Sequence, residues 1–242
     1  MKKNKVKLKI NKKGVLVILL TLYLIIVCFY YFFTLKIKNI TIIGNDQVSD
    51  EEIIASSKLD YDVKVINVRK KKVESNIDDI SLIKNSYVNV SIFGNIIITV
   101  EEQNILFYNV FNKKYVLENN AEVDSVSSDL GIPVLINYVP SDIYKNLIKK
   151  MSKIDISIIR LISEIEYSPD IKNDVTIDAN RFLLRMNDEN YVYINLANFD
   201  KLNRYRDFYS TIDDGVKGIF NLDSSSNSGV LFQSFASINK EE

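Results

Sequence analysis

Residues 37–53 read IKNITIIGNDQVSDEEI, and this stretch decides the fold class. Ile37 to Ile43 sets branched apolar residues among polar ones, as a β-strand requires, and Gly44-Asn45 ends the run with a turn. Ser49 followed three residues later by Glu52 is a capping-box pattern, which predicts a helix opening there and carrying Ile53 and Ile54. A strand that feeds directly into a capped helix is the start of an α+β unit.

Upstream, Gly14 to Leu35 is a run of 22 residues without a charge. As a helix it spans about 33 Å, enough to cross a bilayer core of about 30 Å. A cleaved signal peptide has a shorter apolar core ending in a small-x-small site, and Tyr30 to Leu35 offers none. An uncleaved membrane anchor is therefore expected. Lys2, Lys3, Lys5, Lys7, Lys9, Lys12 and Lys13 precede it, whereas only Lys36 and Lys38 follow closely. That asymmetry predicts a cytoplasmic tail over residues 1–13, a span over 14–35, and an extracytoplasmic remainder. The chain balances 31 basic against 31 acidic residues; without the seven lysines, 24 against 31 leaves −7 outside. An acidic exterior disfavours nucleic acid as a partner.

Downstream, Val63 to Ile66 reads as a short extended piece. Asn67 is expected to cap a second helix bearing Val68, Val73, Ile77 and Ile80 on one face. Val88, Val90 and Ile92, then Ile96, Ile98 and Val100, alternate with polar residues around Gly94-Asn95, a two-residue hairpin connection. The predicted order over 36–103 is β-α-α-β-β. From residue 104 to 235 a mixed α/β region with a largely antiparallel sheet is expected. Its hairpin covers Phe107–Phe111 and Tyr115–Glu118, and Pro133–Ile136 is a short strand. A helix capped by Ser141 and a short helix over Ile156–Ile162 follow. Strands are expected at Glu164–Tyr167, Val175–Ala179, Phe182–Met186 and Tyr191–Asn195. A helix through Phe199, Leu202, Tyr205, Tyr209 and Ile212, a late strand at Val216–Leu222, a Ser-rich loop and a last strand at Val230–Phe235 complete it. Residues 236–242 are expected to form a flexible tail.

Composition narrows the chemistry. The chain has no His, and its one cysteine, Cys28, lies inside the apolar run. His-based triads, His-ligated metals, intrachain disulfides and cysteine zinc sites are thereby excluded. Glu101-Glu102 and Glu164/Glu166 are carboxylate pairs of the kind a glycosidase uses, but they fall on predicted strands of different domains. Asp170, Asp174 and Asp178 lack calcium-loop spacing, and Lys70-Lys71-Lys72 reads as a solvated helix face. No enzyme, no cofactor, no metal site and no small-molecule substrate is expected.

Taken in order, these features resemble the FtsQ/DivIB family of bacterial cell-division proteins. A basic tail and single span precede the Ile37–Asn45 strand and turn, the Val48–Ile53 helix start and a hairpin ending in Val100-Glu101-Glu102, which together are similar to a POTRA domain. Tyr115–Ala121, Gly131–Leu135, Ile162–Ile165, and the Lys201–Ile212 helix followed by Gly218–Leu222 resemble stretches of the family's β domain. The resemblance implies a septal scaffold that catalyses nothing, binds FtsB/DivIC-like and FtsL-like bitopic proteins outside the cytoplasm, and helps regulate septal peptidoglycan synthesis. Strand addition is the implied mechanism. The late strand is expected to be the edge used, so the candidate partner-binding residues are Val216, Gly218, Ile219, Phe220, Leu222, Val230, Leu231 and Phe232. The alternative is a membrane-anchored extracytoplasmic sensor or ligand-binding module unrelated to division.

Overall fold

The uncharged run folds as one helix, α1 (Lys12–Thr34), opened by Asn11, whose side chain accepts from the Lys13 N–H. Its threonine hydroxyls turn inward on the backbone: Thr21 donates to Ile18 O and Thr34 to Tyr30 O. Neither then presents an unpaired donor to an apolar medium. No residue of α1 is buried against the rest of the chain, and its length and composition suit a membrane crossing.

The computed structural model describes residues 11–223 and 231–238. They cluster into two compact units. The first takes residues up to Asn45 with Ser49–Ile80 and Asn85–Glu101; the second takes Asp46–Val48, Ser81–Lys84 and residues from Glu102 onward. The whole is the expected α+β architecture.

In the first unit, β1 (Asn39–Ile43), α2 (Asp50–Ser57), α3 (Lys70–Asp78), β2 (Ile83–Val90) and β3 (Asn95–Glu102) follow the predicted order. The sheet runs β1-β3-β2, with β1 parallel to β3 and Asn39 opposite Asn95. Ser49 Oγ accepts from the Glu52 N–H, as its position predicts. Ile96, Ile98 and Val100 alternate inward along β3 and are buried, as are Ile53 of α2 and Val73 and Ile77 of α3.

Two local expectations are corrected. Asn67 does not cap α3. It closes a 3-10 turn, Val65–Asn67, held by the Val65 N–H on Leu35 O, and α3 starts only after Arg69. The hairpin turn also has four residues rather than two. Ser91 N–H bonds to Asn95 O and Gly94 N–H to Ser91 O, because Gly94 is drawn against the chain entering β1, where its carbonyl accepts from the Lys38 N–H. Ile92 consequently leaves the strand pattern and stands, with Phe93, in solvent at the tip.

Glu102 illustrates how a carboxylate is consumed by the fold. Its oxygens accept from three successive backbone donors, the N–H groups of Asp46, Gln47 and Val48, at 2.9–3.0 Å. Charge-assisted bonds of this kind are worth about 1.5–3 kcal/mol. Glu102→Gln keeps the shape but turns an amide donor toward backbone donors. It should lower the urea-unfolding free energy by about 2 kcal/mol; a stability equal to wild type would show that these bonds contribute nothing net.

The second unit is built on a nine-stranded sheet in the order β14-β13-β12-β11-β8-β7-β4-β5-β6. Its strands are β4 (Ile105–Asn109), β5 (Lys114–Leu117), β6 (Glu122–Val123), β7 (Val134–Leu135), β8 (Ile162–Tyr167), β11 (Arg181–Met186), β12 (Tyr191–Asn195), β13 (Gly218–Asn221) and β14 (Leu231–Ser234). Pairing is parallel at β4/β7, β7/β8 and β12/β13 and antiparallel elsewhere. A separate ribbon pairs β9 (Asp170–Lys172) with β10 (Val175–Asp178) through a turn in which Asn173 and Asp174 both have positive φ. α4 (Ser141–Met151) and α5 (Ile156–Ile159) bring Leu147, Ile148, Met151, Ile158 and Ile159 to the core.

Three differences from expectation are local. Ser141 is the first residue of α4 rather than its cap, which Pro140 occupies without a side-chain bond. The helix expected from Phe199 to Ile212 is a 3-10 turn, Phe199–Arg204, continuing into the short α6 (Tyr205–Tyr209). Residues expected to fray begin in α7 (Phe235–Ile238); residues 239–242 lie outside the described residues.

Candidate functional site

Sheet edges are where an open backbone ladder can recruit another strand. Val216–Leu222 is not such an edge: its strand, β13, lies between β12 and β14. Expecting it at the edge is corrected by the register. Phe220 pairs with Val192 on one side and Phe232 on the other, so the outer strand is β14.

Alternate residues of β13 serve opposite neighbours. Leu222 N–H donates to Tyr193 O, and Gly218 N–H to the side-chain oxygen of the buried Asn190. The intervening Ile219 and Asn221 are therefore directed at Gln233 and Leu231 of β14, and Phe235 N–H donates to Lys217 O in the same phase. By that alternation the N–H and C=O of Phe232 point away from β13. Among the described residues no strand pairs beyond β14. The carbonyl of Ser234, which also faces outward, accepts from the Ser237 hydroxyl at 2.7 Å.

Behind the edge lies an aromatic stack. Phe232 meets Phe220 at 4.8 Å between ring centroids, Phe220 meets Tyr205 edge-on at 5.5 Å, and Phe235 meets Tyr191 at 5.2 Å. Tyr205 is buried and its hydroxyl donates to the Asp188 carboxylate at 2.8 Å. Burial, with that carboxylate alongside, pushes the Tyr205 phenol well above its usual range.

The predicted site residues thus divide. Gly218, Phe220 and Leu222 are core, Val216 precedes β13 and is half-buried, and Ile219 is half-buried on the opposite face. Phe232 supports the edge, Leu231 is 65% exposed on it, and Val230 lies outside the described residues. Asn190, Asp188 and Tyr205 were not predicted to support this region. No local pattern marks Asn190 for this role, which depends on chain folded back from 28 residues later.

The carboxylate pairs also have structural partners. Glu164 and Glu166 both grip Arg185, and Asn85 donates to Glu101. Asp178 accepts from Asn195 and from the Asn180 N–H within its turn.

Residues 35–103 match the FtsQ-type POTRA domain. The cell division protein DivIB of Bacillus subtilis is 29% identical over 223 residues, covering 90% of this chain and 83% of that protein. DivIB of Bacillus anthracis is 28% identical over 90% of this chain and 83% of its own length. DivIB of Listeria monocytogenes is 24% identical over 94% and 84%. The chain is similar to these DivIB proteins along nearly its whole length. These relatives support a role in bacterial cell division, and the apolar helix has the length and composition of a single membrane crossing. The solved extracytoplasmic domain of DivIB from Geobacillus stearothermophilus aligns with 48% of the chain at 23% identity and a TM-score of 0.34, too distant to bear on the fold.

Proposed function

We propose that the chain is a non-enzymatic divisome scaffold, with its N-terminus in the cytoplasm and its folded part outside. It binds FtsB/DivIC-like and FtsL-like proteins at the septum and thereby helps regulate peptidoglycan synthesis. We divide it into a cytoplasmic tail (1–13), a span (14–35), a POTRA domain (36–103), a β domain (104–235) and a tail (236–242). The observation that carries the partner reading is the outer edge of β14. It offers the outward backbone of Phe232 and the exposed Leu231 side chain, backed by the Phe220–Phe232–Tyr205 stack. A partner strand added there would gain a backbone ladder for affinity and an apolar side-chain contact at Leu231 for register.

The test is capture of the two partners by full-length protein extracted from membranes. Leu231→Asp places a charge on the edge, and Ser234→Pro removes an outward N–H while sparing the bonds to β13. Each should reduce capture at least about tenfold, a difference of about 1.4 kcal/mol, with an unchanged unfolding midpoint. Wild-type capture by both variants would move the site off β14. A fluorescent N-terminal fusion should form a mid-cell band; a diffuse envelope signal would favour the sensor reading.

A further inference from the structure

Ile92 and Phe93 occupy the tip of the β2–β3 hairpin and are 65% and 64% exposed. Isolated apolar residues on a surface are ordinary, but adjacent large ones at a tip of fixed position call for a partner. Their position is set by the topology. Because β1 runs parallel to β3, both strands start at the same end of the sheet, and β1 starts just after α1 ends. The turn leading into β3 is therefore at the end of the sheet that α1 enters.

The hydrogen bonds make this placement close. Lys38 N–H donates to Gly94 O at 2.8 Å. Gly94, at a φ of +92°, lies so near that chain that a Cβ would stand 2.8 Å from Lys36 O. The tip thus touches the chain two to four residues beyond the end of α1, a reach of at most about 7–14 Å. A helix of 23 residues is about 34 Å long. It exceeds the hydrocarbon core of about 30 Å, and its end falls in the headgroup layer, about 5–8 Å deep.

The other flank of the same connection is built alike. Val65 N–H donates to Leu35 O at 2.9 Å and Ile37 N–H to Val63 O at 3.1 Å. These bonds fasten a 3-10 turn that carries the exposed Ile66. Lys38 and Lys64 are exposed between the two apolar points, and Lys38 Nζ reaches back to the hydroxyl of Tyr31 in the last turn of α1. Apolar residues flanked by cations at headgroup level are what an anionic bilayer surface accommodates.

We propose that the β2–β3 tip is a second membrane contact. Ile92 and Phe93, with Ile66 across the connection, sit in the boundary between headgroups and acyl chains of the leaflet where α1 ends, and Lys38 and Lys64 meet lipid phosphates. This rests on the reading of α1 as a membrane anchor. The contact fixes the tilt of the first unit on the bilayer, which a single covalent connection would leave free.

The sequence contains no Trp, so one introduced residue is an unambiguous reporter. Full-length Phe93→Trp, Tyr87→Trp and Phe29→Trp proteins are reconstituted into vesicles of phosphatidylethanolamine and phosphatidylglycerol, with acyl chains brominated near the headgroup. Tyr87 is exposed on β2, about 13 Å further from the tip. The expected result is blue-shifted emission from Phe93→Trp that the bromolipid largely quenches, while Tyr87→Trp stays red and unquenched. If Phe29→Trp is quenched but Phe93→Trp behaves like Tyr87→Trp, the tip contact is overturned and the anchor stands. If Phe29→Trp is also unquenched, the anchor reading fails and the tip contact fails with it.

Discussion

Gly218→Ala should detach β14 from the sheet while leaving β13 in place. The glycine is required by crowding. A Cβ at this position would stand 2.2 Å from Gln233 O and 2.8 Å from both Ser234 Cα and the Phe232 ring. Two of these neighbours are backbone atoms, which cannot rotate away as a side-chain end would. β13 has independent restraints, since Leu222 N–H is held by Tyr193 O and Gly218 N–H by Asn190. β14 has only β13 as a sheet neighbour among the described residues. The added methyl therefore resolves its clash by lifting β14. The cost is about 1–3 kcal/mol for overpacking, to which the lost Phe220–Phe232 contact adds. Hydrogen exchange should show Leu231–Ser234 amides unprotected in the variant, β11 and β12 protected as in wild type, and partner capture lost. Full protection of β14 in the variant would mean that the backbone yields elsewhere and that the edge is more tolerant than its packing implies.

Tyr205→Ala should be among the most destabilising substitutions in the second unit, at about 3–5 kcal/mol. The side chain is buried, contacts Phe220 edge-on, stacks with Tyr209 at 6.4 Å and anchors its hydroxyl on Asp188. Its phenol holds its proton in the folded state well above the usual 10.0. Ionisation in the unfolded chain alone then shifts the balance toward unfolding. The contribution is complete below pH 10 and is lost progressively as the pH rises above that value. Tyr115, Tyr144 and Tyr167 are raised in the same direction, chiefly by burial, so several groups share the alkaline limb. Tyr205→Phe keeps the ring, costs about 1–2 kcal/mol at neutral pH through the lost hydrogen bond, and should make stability fall less steeply above pH 10. Parallel alkaline limbs for wild type and Tyr205→Phe in urea titrations would assign the limb to the other tyrosines.

Local signals in the sequence carried most of the element order. The period-two apolar runs of β3 and β12, the Ser49 cap and the uncharged span of α1 are each specified by residues close in the chain, and each appears where its pattern places it. The two misplacements in the first unit share one cause. Ile92 alternates correctly for a strand, yet the turn widens to take it in because Gly94 is held by Lys38, a residue 56 positions earlier. Asn67 is a good cap by type, but Val65 is held by Leu35 and the intervening turn is used up. The candidate site shows the same limit. That Val216–Leu222 and Val230–Phe235 hold apolar strands could be read directly, whereas their order in the sheet depends on β13 crossing back beside β12 and on the close packing at Gly218. Relations between segments distant in sequence have no short-range pattern to announce them.

A two-residue strand inside the large sheet also has a mechanical meaning. β7 contributes two residues, Val134 and Leu135, which pair in parallel with β4 on one side and β8 on the other, helped by the Tyr108 N–H donating to Pro133 O and the Ile136 N–H to Ile165 O. The backbone ladder therefore narrows inside the sheet, between β4–β5–β6 and the block running from β8 to β14. Beside this short ladder the seam is spanned by the side-chain core, where Leu135 packs among residues contributed from both sides. Hydrogen bonds resist shear along a strand, while apolar packing yields more gradually when its faces are drawn apart. Under tension across the sheet, the seam at β7 is where it would open first, with the β8-to-β14 block and its edge still whole.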